Sequence, residues 1–88
     1  MRVSVLKANE SCYLVGEDLN VTELLLRNVV GGGLDYIEIS PDRFIIANEA
    51  RDIMHLPFNL GATRLARESL NENIFIRGDV VLIEKGDK

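Results

Sequence analysis

His55 is the only histidine in the chain and the natural candidate for a general acid or base. Asp52 stands three residues before it and would orient the imidazole if the segment were helical, but Pro57 follows too closely for a helix to run on. No serine, cysteine or threonine is tied to His55 by spacing, so the set of nucleophile, base and orienter cannot be filled. Cys12, beside Tyr13 in a strand-like stretch, reads as a small buried hydrophobe. Metal ligation would have to combine His55 with scattered acids, and no spacing supports it. Gly31-Gly32-Gly33 follows a helical pattern, whereas phosphate-cradling glycines follow a strand and open onto a helix, so helix termination is the better reading. Arg77-Gly78-Asp79 spells an integrin-recognition tripeptide, yet a glycine bend between two apolar runs accounts for it.

The segment from Asn48 to Arg64 holds the most recognition chemistry. Asn48, Glu49, Arg51, Asn59, Thr63 and Arg64 surround the apolar anchors Leu56, Pro57 and Phe58. An arginine fork can grip a phosphate or carboxylate through two hydrogen bonds, and an asparagine amide offers donor and acceptor together. These six residues form the candidate ligand- or partner-binding set. The structural alternative makes Asn48 and Asn59 turn and cap residues and the charges solvated.

Several elements must position that segment. Alternation over Arg2 to Ala8, turn residues at Asn9-Glu10-Ser11 and a second apolar stretch from Cys12 to Val15 predict a hairpin. Asn20, three residues before Glu23, predicts a helix N-cap, and the three glycines predict the helix's end. Helical spacing puts Val21, Leu24, Leu25 and Val29 on the inward face, against Ile37, Ile39, Ile45 and Val81, while Leu26 and Val30 widen the apolar stripe and imply cover on more than one side. Leu34 to Ile39 alternates as a strand, Ser40-Pro41-Asp42 turns, and the continuous apolar run within Arg43 to Ala47 is of the kind seen in a central strand. Asn59 is placed to cap a second helix from Leu60 to Leu70. Residues 73 to 84 fit either one bulged strand or two short ones with glycine at the bend. This order predicts a single α+β domain over residues 1–88, with a mostly antiparallel sheet of about five strands and one or two helices packed on one face.

With 88 residues there is no room for a second domain, and 47% hydrophobic against 27% charged residues supplies both a core and solubility. Small size makes self-association into a homo-oligomer a route to added stability. A single cysteine excludes an intramolecular disulfide, and the sequence shows neither a signal-peptide pattern nor a run of about 20 apolar residues. The expected location is the cytoplasm, with no membrane partner. Fourteen acidic against ten basic residues, with no basic cluster, argue against general nucleic-acid binding.

Val30-Gly31-Gly32 with Tyr36-Ile37-Glu38, Ala47-Asn48-Glu49, Leu56-Pro57-Phe58-Asn59 with Ala62-Thr63, and Ile76-Arg77-Gly78-Asp79-Val80 together resemble an uncharacterised family of short proteins encoded largely by bacteriophages, plasmids and their hosts. In that family a "VGG…IE" segment precedes an "NEE" segment, an "LPxN" loop and a "GDVV"-like strand. The resemblance spans most of the chain from Val29, with Phe58 and the third glycine as departures. It implies a phage or mobile-element accessory protein, acting in the host cytoplasm. The resulting expectation is a non-enzymatic binding protein without a cofactor, which acts on a host protein or sequesters a small anionic ligand such as a nucleotide. The alternative is a small enzyme or nucleotide-processing subunit whose site, built from His55, Asp52 and arginines, is completed between protomers.

Overall fold

The computed structural model describes residues 1–9, 12–17, 21–70 and 74–85. In chain order the elements are β1 (Arg2–Leu6), β2 (Cys12–Glu17), α1 (Glu23–Val30), β3 (Leu34–Ser40), β4 (Arg43–Asn48), α2 (Leu60–Leu70) and β5 (Val80–Glu84). The five strands form one sheet in the order β2-β1-β5-β4-β3, and each neighbouring pair is antiparallel. Two sequence-local hairpins, β1–β2 and β3–β4, therefore flank β5. Fold class, strand number and sheet polarity agree with the expectation.

The helices, however, lie on opposite faces of the sheet. Leu26 of α1 packs with Val3, Ile46, Val81 and Ile83, while Ala62 and Ala66 of α2 pack with Ile39, Ile45, Ala47, Val80 and Leu82. Because side chains alternate along a strand, Ile45 and Ile46 point to different sides, as do Val81 and Leu82. The central strands β4 and β5 are apolar at consecutive positions, so both of their faces require a cover. One helix serves each.

The inward stripe of α1 also differs from the expected one. Leu26 and Val30 are buried and the expected Val21 and Val29 pack half-buried beside them, whereas Leu24 is 70% exposed and Leu25 38% exposed. Apolar residues at 24, 25, 26, 29 and 30 satisfy two helical phases equally well, and the sheet selects the one carrying Leu26 and Val30. Of the four proposed strand partners only Val81 faces α1, since Ile37, Ile39 and Ile45 lie on the α2 side. Thr22 is the N-cap, its hydroxyl accepting from the Leu25 amide at 3.2 Å. Asn20 lies outside the described residues. Gly31 closes the helix in the left-handed conformation (φ 82°), and its amide donates to the Arg27 carbonyl at 2.8 Å.

Residues 74 to 79 do not extend β5. They run beside the start of α2, where the Asn59 amide donates to the Ile76 carbonyl at 2.9 Å and Phe58 bridges to Arg77. Gly78 turns the chain back into the sheet at φ 83°, with its amide donating to the Pro57 carbonyl at 2.7 Å. The positive φ is what requires glycine there; a Cβ would also sit 2.8 Å from Leu56 Cδ1 and oblige that side-chain end to shift.

Candidate functional site

The candidate residues of the 48–64 segment resolve into two polar knots and one outlying arginine. At the end of β4, Asn48 is 1% exposed. Its Nδ2 donates to the Val30 carbonyl at 3.2 Å, and its Oδ1 accepts from the Ala50 amide at 2.8 Å. The first bond satisfies a carbonyl that α1 leaves open at its C-terminus. Arg51 Nη1 donates to Asp35 Oδ2 at 2.8 Å and to the Asn48 carbonyl at 3.1 Å, while its Nε is buried without a hydrogen-bond partner among the described residues. Glu49 is exposed, and its side chain lies so close over Gly33 that a Cβ at that glycine would collide with the carboxylate.

The second knot forms around Asn59, which is fully buried. Its Oδ1 accepts from the Ala62 amide at 3.0 Å as the N-cap of α2, and its Nδ2 donates to the Leu6 and Gly78 carbonyls at 2.9 and 2.8 Å. One amide thus joins β1, α2 and the turn before β5. Thr63, also buried, exchanges hydrogen bonds with Ile76: its hydroxyl accepts from the amide at 2.9 Å and lies 3.2 Å from the carbonyl. Arg64 is exposed on α2. Asn48, Asn59 and Thr63 therefore have their hydrogen-bonding groups committed inside the fold, and Arg51 is held by Asp35. The set as first drawn offers an anionic ligand little beyond Arg64.

Other candidates are similarly placed. The Asp52 carboxylate pairs with Arg77 at 3.5 Å, so its ion pair is not with His55. Arg77 Nη1 also donates to the Leu56 carbonyl at 3.0 Å, and Asp79 Oδ1 accepts from the Ala8 amide at 2.9 Å, which makes Arg77-Gly78-Asp79 a structural corner. Cys12 is exposed on β2, contrary to the buried reading, because β2 is an edge strand. Among the described residues no group of three or more His, Cys, Asp or Glu is placed to hold a metal ion. No helix among them is long and apolar enough to cross a membrane.

Alongside the exposed Glu49, Asp52, His55 and Arg64, the 48–64 segment presents large apolar side chains to solvent. Residues 50 to 56 form one helical turn, in which the Met54 amide donates to the Ala50 carbonyl at 2.8 Å. The turn closes when the Leu56 amide donates to the Arg51 carbonyl at 3.1 Å and the His55 amide to the Asp52 carbonyl at 3.2 Å. This is the paired-bond helix stop that normally places glycine in the left-handed position, and here His55 occupies it at φ 54°. The tip leaves Ile53 83% exposed and Met54 51% exposed, and Phe58 follows, tilted at 6.1 Å against Phe75. The Arg67 guanidinium lies 4.5 Å from the centre of the Phe75 ring. Apolar residues inside a turn-rich stretch were the sequence signal for this display, but the polar residues beside them drew the functional reading.

A second exposed region flanks α1. Leu26, Ile46, Ile83, Tyr36 and Phe44 help to wall a groove of about 500 Å³. Tyr36 and Phe44, with ring centres 6.3 Å apart, also line an adjoining depression of about 480 Å³ bounded by Glu38, Ser40, Pro41 and Lys85. The chain matches no protein-family model, no curated protein and no solved structure.

Proposed function

We propose that the protein is a non-enzymatic binding protein that recognises a protein partner through the loop carrying Ile53, Met54 and Phe58. The observation that carries this reading is Ile53, a large apolar residue 83% exposed at the tip of a loop that the fold holds in place. Leaving isoleucine in water forgoes roughly 1.5–3 kcal/mol of burial, which a partner's apolar pocket recovers. Support for the loop being pre-formed comes from Asn48, Arg51, Asp35 and the helix-stop hydrogen bonds, which anchor both of its ends. Pre-ordered apolar tips bind well because little chain entropy is lost on docking. The family resemblance to phage and mobile-element proteins makes a host protein the expected partner.

The test is site-specific photocrosslinking in cells, with a benzophenone side chain at position 53 compared with one at Glu68 on the exposed side of α2. A discrete adduct from position 53 that is absent from position 68, and that Met54→Asp abolishes in a chain that still melts cooperatively, is the expected result; the melt is the control because Met54 Sδ also accepts from Asn48 Nδ2 at 3.7 Å. Equal or no adducts from the two positions would show that the loop is not a contact surface.

A further inference from the structure

The groove beside α1 supports an inference of its own. An eight-residue helix is about 12 Å long and, with its side chains, about 10–12 Å wide, so in any orientation it covers less than a five-stranded sheet about 19 Å across. The described residues accordingly leave part of the α1 face uncovered, where Tyr36 is 54% exposed. We propose that this uncovered β3–β4 region is a two-fold interface between copies of this chain, centred on Tyr36 and Phe44 and rimmed by Glu38 and Lys85.

Charge selects the occupant. Glu38 and Lys85 are both exposed on the rim of the same depression, and neither is in an ion pair among the described residues. Lys85 Nζ instead sits 6.0 Å from the centre of the Phe44 ring. A small anion entering here meets Glu38, and a small cation meets Lys85. A second copy meets neither difficulty, because a two-fold axis presents the acid of each copy to the base of the other and lets Tyr36 meet the partner's ring surface. An aromatic centre with a polar rim is the usual arrangement of a protein interface.

The sheet edges are poorer places for self-association. The β1–β2 register is bulged at Val3/Ser4 and the β3–β4 register at Glu38/Ser40. Such bulges turn an edge away from strand pairing.

Sedimentation velocity at tens of micromolar tests the proposal. The wild-type chain should sediment as a dimer. Glu38→Lys and Lys85→Glu, each of which places like charges across the axis twice, should weaken the dimer about tenfold or more. An equimolar mixture of the two variants should recover a one-to-one dimer, because each position then faces an opposite charge. Circular dichroism melts matching wild type would show that both variants are folded. A monomeric wild type, a dimer indifferent to both reversals, or a mixture that stays monomeric would each overturn the proposal. The Ile53 loop lies outside this interface, so its crosslinking result is independent.

Discussion

His55 has a backbone conformation that glycine adopts freely and an L-residue with a cost of about 1 kcal/mol or more. His55→Gly should then raise stability by up to about 1 kcal/mol, or roughly 4–8 °C in melting temperature for a domain of this size. A melt that falls would mean that the imidazole makes a contact outweighing the backbone cost. Asn59 represents the opposite case. As a cap alone it would be worth ~1 kcal/mol, but its Nδ2 also serves two carbonyls. Asn59→Ala should cost about 3 kcal/mol, since each buried group left unpaired adds ~1–3 kcal/mol. Asn59→Asp is the sharper comparison. It keeps the capping oxygen but sets a second oxygen against the Leu6 and Gly78 carbonyls, so it too should destabilise in a denaturant melt. Unchanged stability in the Asp variant would reduce Asn59 to a cap. The sequence made the cap legible through its position before the helix. The other two bonds join residues 53 and 19 positions away, and no local pattern contains them.

For the elements, the contrast between the two sides of α1 is measurable. Leu26→Ala should cost about 2–5 kcal/mol because Leu26 is buried against β1, β4 and β5. Leu24→Ala should stay within about 0.5 kcal/mol. Equal losses for the two would restore the helical phase expected from sequence. The first four strands and both helices were readable from alternation, turn residues and caps, to within about two residues at most ends, while residues 73 to 84 stayed open between one bulged strand and two short ones, of which the structure has Val80–Glu84. The phase of α1 was not, because a helix with apolar residues on most of its circumference does not say which stripe its neighbour will cover. The placement of α2 on the far face was written in Phe44-Ile45-Ile46-Ala47 and Val80-Val81-Leu82-Ile83, since unbroken apolar runs mark strands covered on both sides. Tertiary packing also turned polar residues inward. Asn48, Asn59 and Thr63 carry the residue types of a binding site, and the same hydrogen-bonding capacity here stitches the ends of elements together.

Across the molecule, the sheet is joined at its middle by its last strand. β5 pairs with β1 on one side and β4 on the other, and these two ladders are what unite the hairpins into one sheet. An isolated two-stranded hairpin is marginal in water. On a translating ribosome, β1 emerges first and β5 on the order of ten seconds later, at ~5–20 residues per second. A hairpin closes within microseconds. For seconds, then, β1 and β4 have no strand between them, and the two hairpins form only marginally until β5 arrives. The sheet therefore closes late: every residue of both hairpins has been made before the strand that unites them can pair, so the fold is all-or-none in its final segment.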